Sequence, residues 1–200
     1  MNVERELSEL LYRIGAIRFG NFTLKDGRVS PFYLDLRILV SHPDALARVA
    51  RAMTQRADGL SYDRLAGIPY AGLPIALAMS LIGGRPLVYA RKEAKGYGTE
   101  RQLEGEFATG ERVLVIDDVI TTGGAKLQAV APLRAAGLVV EDILVVVDRE
   151  DRGTEALSKD GLRLHSTLNV RALFDHLLSA QVVREVDVRR ALDFLSQKQD

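Results

Sequence analysis

One run, Val113 to Gly124, with the sequence VLVIDDVITTGG, limits what this chain can fold into more than any other stretch. Its first four residues are all β-branched or aliphatic, the pattern of a strand buried on both faces in a parallel sheet. Two carboxylates follow at the carboxyl end of that strand. In extended geometry the side chains of Asp117 and Asp118 point to opposite sides, so both cannot be buried without partners. After Val119 and Ile120 come Thr121, Thr122, Gly123 and Gly124, which supply two hydroxyls and two residues able to take positive φ. An Ala-rich stretch with helical character, Ala125 to Ala136, follows at once. Strand, tight turn and helix start together offer free backbone N–H groups and a helix dipole to a phosphate. The run lacks the Gly-Lys-Ser/Thr ending of a P-loop and the G-x-G-x-x-G of a dinucleotide site, which disfavours both classes. An ordinary strand-to-helix turn with a surface acid pair is the competing reading.

The chain is long enough, at 200 residues with 47% hydrophobic content, to bury one sizeable core. Its 27 basic and 27 acidic residues balance, so no general electrostatic pull toward nucleic acid or anionic lipid exists. Any anion site must be local. There is no cysteine, which excludes disulfides, thiolate metal sites and a thiol nucleophile. The opening MNVERELSEL carries three glutamates and no apolar core, unlike a secretory signal. The longest apolar stretch, Ala71 to Ile82, is too short to span a bilayer, so a cytoplasmic protein with no membrane partner is expected. Only six of the basic residues are lysines, at positions 25, 92, 95, 126, 159 and 198. Lys92 and Lys95 share the short run RKEAK and Lys25 sits in a TLKDGR turn; a lysine is a compact charge suited to phosphate oxygens.

Along the chain, Val3, Leu7, Leu10, Leu11 and Ile14 predict an amphipathic helix, and residues 17–39 read as a hairpin-like element with a turn at Lys25 to Arg28. Its aromatics, Phe19, Phe22, Phe32 and Tyr33, are either satellite core or the wall of a pocket for a flat heterocycle. A helix is predicted after Pro43, then a strand from Arg64 to Ile68 that enters GIPYAGLP, a Gly/Pro turn able to form an anion nest. The next helix, Ile75 to Leu81, is apolar on every side and is expected to be buried. A strand at Pro86 to Ala90 precedes RKEAKGYGTERQLEGEF, whose glycines and charges predict a mobile loop, either a solvated hairpin or a lid over a polyanion. Strands are predicted at Asp142 to Val147, ending in Asp148, Arg149 and Glu150, and at Leu162 to Leu168. Asn169 and Asp187 are expected to cap the last two helices. His42, His165 and His176 lack metal-ligand spacing and read as surface or satisfied interior residues. The expected fold is α/β, a five-stranded, mostly parallel sheet flanked by helices, with the amino-terminal hairpin over the carboxyl edge. One domain is expected over residues 1–200, with a hood at about 1–40, a core at about 44–180 and the mobile loop at about 91–105.

The central run resembles the phosphoribosyl pyrophosphate motif of the type I phosphoribosyltransferases. With TLKDGR, SPFYLDLR, RKEAKGYG and VVVDR in the same order, the similarity is to their orotate phosphoribosyltransferase branch, over nearly the whole length. KGYGTERQLEG and GIPYAGLP look closer to the form that animals carry fused to orotidine monophosphate decarboxylase, although no decarboxylase domain is present in these residues. The resemblance implies transfer of ribose 5-phosphate from phosphoribosyl pyrophosphate to N1 of orotate, in pyrimidine (UMP) biosynthesis. Asp117 and Asp118 would bind the ribose hydroxyls, and Thr121, Thr122, Gly123, Gly124 and Ala125, with Val119 and Ile120 before them, would form the 5′-phosphate turn. Arg149, Lys25, Thr121 and the backbone around Tyr33 and Leu34 would hold orotate. Arg91, Lys92, Lys95 and Tyr97 from the loop, with Tyr70 and Ala71 from the Gly/Pro turn, would lie against the diphosphate, and Lys95 would carry most of the catalytic weight. Mg2+ would be held mainly by substrate oxygens, and a homodimer would share its loops between active sites. A separate decarboxylase is a possible partner.

Two departures stand out against many bacterial members: Ala71 takes the place of a lysine and Tyr97 that of a loop histidine. A transferase for another base, or a noncatalytic sensor of phosphoribosyl pyrophosphate, would keep the central run. The first has no need of Lys25 and Arg149, and the second should bring a nucleic-acid-binding surface, of which the sequence gives no sign.

Overall fold

A computed structural model of the chain describes residues 2–24, 27–91, 102–121, 123–149 and 153–197. Helix α1 (Val3–Arg13) buries Leu7 and Leu11 and is capped by the Asn2 side chain, which accepts from the Glu4 N–H at 3.0 Å. Strands β1 (Ile17–Thr23) and β2 (Val29–Leu34) form a separate antiparallel pair, followed by a 3-10 helix at Leu36–Ser41. The body is then laid down as α2 (Pro43–Arg56), β3 (Arg64–Gly67), α3 (Gly72–Gly83), β4 (Leu87–Ala90), β5 (Leu103–Glu104), β6 (Arg112–Ile120), α4 (Gly124–Ala135), β7 (Val139–Asp148), α5 (Gly153–Lys159), β8 (Arg163–Asn169), α6 (Val170–Ser179) and α7 (Glu185–Ser196).

The main sheet has the order β5-β4-β3-β6-β7-β8. Five of these strands run parallel, as the alternation of strands and helices predicts, and β5 adds a sixth, antiparallel to β4. Strand β6 is central because both of its faces are apolar. Leu114 and Ile116 join a core with residues of α1, α2, α3 and α6, whereas Val113 and Val115 pack on the other side with Val130 and Leu133 of α4 and Leu157 of α5. Each such side chain contributes on the order of 2 kcal/mol when fully buried. A strand with apolar residues on both faces can sit only inside the sheet.

Three local expectations are corrected. Helix α3 is not buried all round: Ile75, Ala76 and Met79 face the core, but Leu77 and Leu81 are 52% and 80% exposed. An all-apolar helix does not reveal which of its faces lacks a neighbour. Asp187 is not the cap of α7, which begins at Glu185 after Arg184; it lies in the first turn and pairs with Arg184 Nε at 2.7 Å. The far end of the 91–105 loop is packed, since Leu103 is buried and β5 continues the sheet edge. Among the described residues, no helix is long and apolar enough to cross a membrane.

Candidate active site

In an open parallel sheet the strands end in a crevice at their carboxyl edge, where ligands bind. Here that edge is formed by the ends of β3, β6 and β7. Asp117 pairs in register with Val145, and Ile120 with Asp148. The Arg149 N–H donates to Ile120 O at 3.2 Å, which ties the end of β7 directly to the acidic run.

The two acids diverge as strand alternation requires. Asp117 follows Val113 and Val115 onto the α4 face, is 5% exposed, and pairs through Oδ2 with the ammonium of Lys126. Its Oδ1 accepts from the Asp118 N–H at 2.8 Å. Asp118 is half-buried and its Oδ1 accepts from the Val119 N–H at 2.7 Å. Burial pushes the Asp117 carboxyl up to about 6, with Lys126 opposing the shift and Asp118 adding to it. A buried acid at a strand end, balanced between a cation and a second acid, is a common signature of a functional site.

Behind Asp117 stands Gly72, at the start of α3. A Cβ there would meet Ile116 O and come within 2.9 Å of the Asp117 Cα and 3.0 Å of its Oδ1, so only glycine lets the β3–α3 turn approach so closely. On the other side, Gly123 holds φ 81 before α4, a left-handed conformation that lets the chain turn from strand to helix. Among the described residues no side chain caps α4, so its amino-terminal N–H groups are suited to a ligand.

The β1–β2 pair meets this edge through aromatic residues. Phe32 is 1% exposed, packs edge-on to Phe174 at 5.1 Å between centroids, and lies under the Arg149 guanidinium, whose carbon is 4.8 Å from the ring centroid. Tyr33 stacks near Phe22 at 5.5 Å and lies beneath Arg18 at 5.6 Å, and Leu34 ends β2 opposite Ile17. A fixed cation on a flat ring, beside a phosphate-type turn, is suited to an anionic heterocycle.

The phosphoribosyl transferase domain family matches residues 36–167 of this chain. The chain is 40% identical over 175 residues to the orotate phosphoribosyltransferase of Pyrococcus furiosus, covering 86% of this chain and 96% of that protein. The chain belongs to the orotate phosphoribosyltransferase family. Among solved structures, Leishmania donovani UMP synthase superposes with a TM-score of 0.90 at 38% identity, over 97% of this chain and 42% of that longer one. The Mycobacterium tuberculosis orotate phosphoribosyltransferase in complex with 5-phospho-α-D-ribosyl 1-diphosphate superposes with a TM-score of 0.71 at 34% identity, over 86% of this chain and 98% of that one.

Of the family positions picked out in the sequence, Asp117, Asp118, Val119, Ile120, Thr121, Gly123, Gly124 and Ala125 lie together around the end of β6 and the start of α4. Arg149 joins them through Ile120 and Phe32. Tyr70 and Ala71 sit in the turn just before Gly72, with Tyr70 73% exposed. Arg91 follows β4, and its guanidinium pairs with Glu104 at 3.2 Å. Lys25, Lys92, Lys95, Tyr97 and Thr122 lie outside the described residues. Sequence reasoning missed Lys126 and Gly72 as site residues. The signal for Lys126 was present: it is a rare lysine in the first turn of an otherwise Ala-rich helix.

Proposed function

We propose that this chain transfers the ribose 5-phosphate group of phosphoribosyl pyrophosphate to N1 of orotate, giving orotidine 5′-monophosphate and pyrophosphate, a step of pyrimidine biosynthesis. The observation that carries the reading is the Arg149 guanidinium on Phe32, held beside the phosphate-type turn because the Arg149 backbone N–H donates to Ile120 O at the end of β6. The uncapped start of α4, with Thr121 and Gly123, receives the 5′-phosphate. Asp117 and Asp118 take the ribose hydroxyls. Orotate lies against the hood, its carboxylate met by Arg149 and Lys25.

As the bond from C1′ to the diphosphate lengthens, positive charge grows on the ribose and negative charge on the leaving group. The carboxylates at the end of β6 stabilise the first and the cations of the 91–95 run the second, each more in the transition state than in the ground state. No protein nucleophile is required. Among the described residues there is no cluster of three or more metal-ligating side chains. A magnesium ion, hard and oxygen-seeking, would be held mainly by diphosphate and ribose oxygens, with Asp117 and Asp118 acting on it only through the ribose hydroxyls they take. When bound, such an ion neutralises charge on the departing diphosphate.

A homodimer belongs to the same proposal. Tyr70, Leu77, Leu81 and Ile82 expose an apolar face beside the donor turn, and an adjoining cavity of about 290 Å³ is lined by residues that include Val40, Pro74 and Ile75. A second copy of the chain would cover this face. A cytoplasmic location suits such an enzyme, and a separate decarboxylase is a fitting consumer of the product. The decisive assay is a base panel with phosphoribosyl pyrophosphate and magnesium: orotate should release pyrophosphate, and uracil and adenine should not. Release with uracil or adenine but not orotate would overturn the assignment.

A further inference from the structure

Lys126 stands one turn beyond the acidic run, and it is the sole buried lysine among the described residues, at 8% exposure. An ammonium so far from water keeps its charge only if it is fully paired. Its Nζ donates to Val119 O at 2.7 Å and pairs with Asp117 Oδ2. The second oxygen of that carboxylate is also engaged, by the Asp118 N–H, and the Gly72 backbone closes the space behind it. Asp117 therefore cannot rotate without breaking one of these contacts. The charged groups that act on it are Lys126 from α4 and Asp118 from its own strand; from α3 it meets Gly72, which carries none. Packing alone does not call for such a pair, because apolar residues of similar volume usually serve a core as well or better.

We propose that Lys126 is a positioning residue for the ribosyl donor: acting through Asp117, it fixes the orientation and charge of that carboxylate and ties the end of β6 to the first turn of α4. It rests on the donor-site reading above. The end of β6 and the start of α4 are thereby set before the donor arrives, so that less order has to be gained on binding.

Three variants test this: Lys126→Met, which keeps the length and removes the charge, Asp117→Asn, and the two combined. Donor affinity is measured by calorimetry with phosphoribosyl pyrophosphate and magnesium, and turnover with orotate. Lys126→Met should lower kcat/KM for the donor by about 10- to 100-fold at pH 7 and regain most of it at pH 9, where Asp117 ionises without help. Asp117→Asn and the double variant should agree within about threefold, because a residue that acts only through Asp117 has nothing left to do once that carboxylate is gone. An equal loss at both pH values, or a double variant about tenfold or more below Asp117→Asn, would overturn the proposal and place the ammonium on the ligand itself. If Lys126→Met fails to fold, the double variant, which buries no unpaired charge, decides the matter against Asp117→Asn. Donor affinity keeps the two readings apart. A wild-type protein that binds the donor yet makes no orotidine monophosphate counts against orotate as acceptor, and the affinity comparison still judges Lys126.

Discussion

At the amino ends of the strands Asp142 and Glu111 are held below the usual carboxylate range, whereas at the carboxyl end of β6 Asp117 is pushed above it. Asp142 receives Arg163 through two bonds of 2.8 and 2.7 Å, with His165 Nε2 at 2.8 Å. Glu111 takes a similar fork from Arg64, at 2.7 and 2.5 Å, and the Ala108 N–H. In both cases the hydrogen bond to the arginine is the leading cause of the shift. For Asp117 the leading cause is burial, only partly offset by Lys126. One end of the sheet uses its ions to hold strands together. The other keeps an acid in a place that folding alone would not choose, which is what a site that must answer charge on a ligand requires.

The sharpest break between the two ends should be seen in turnover. Asp118→Asn, at the carboxyl end, and Lys95→Ala, in the loop proposed to serve it, should each lower kcat by roughly 100-fold or more while leaving thermal unfolding unchanged. Near-normal turnover in either would remove that residue from the chemistry. At the opposite end, Asp142→Ala should cost about 2 kcal/mol in urea unfolding, the scale of lost bonds to charged groups, and leave kcat within about threefold. A large fall in activity with intact stability would erase the distinction.

Acid should separate the ends by sign. Asp142 has a lowered folded pKa, so its contribution is present above the ordinary carboxylate value near 4 and is lost as pH falls through the folded value. Asp117 has a raised one, so its burial is free below about 4 and grows costly as pH rises toward about 6. Above that range it is ionised. The kcat/KM for the donor should therefore decline about tenfold per pH unit below about 6, and Asp117→Asn should flatten that limb. The smallest effect is the stability of Asp117→Asn combined with Lys126→Met, which should equal the wild type or exceed it by about 1 kcal/mol at pH 8. A clear loss there would make the pair a structural tie like those at the amino ends.

The middle of the sheet was legible because Val113 to Ile116 is apolar at every position, and no other environment suits such a strand. The divergence of Asp117 and Asp118 followed from alternation alone, and the Asn169 cap from its position before an apolar helical stripe. Other features depended on neighbours distant in sequence. Phe32 reads as satellite core or pocket wall until Arg149, from another strand's end, is placed above it. Lys126 gives no periodic signal, since its partner is nine residues back and on a different element. Strand β5 is two residues long in a charged stretch, with Leu103 as its one buried anchor. Asp187 had the right residue type for a cap, but Arg184 claimed it first.

The most direct measurement is a crystal structure with phosphoribosyl pyrophosphate bound. The ribose hydroxyls should rest against Asp117 and Asp118, with the 5′-phosphate on the N–H groups between Thr121 and Ala125. A donor bound elsewhere, or held with its hydroxyls turned away from both acids, would contradict the assignment of this site.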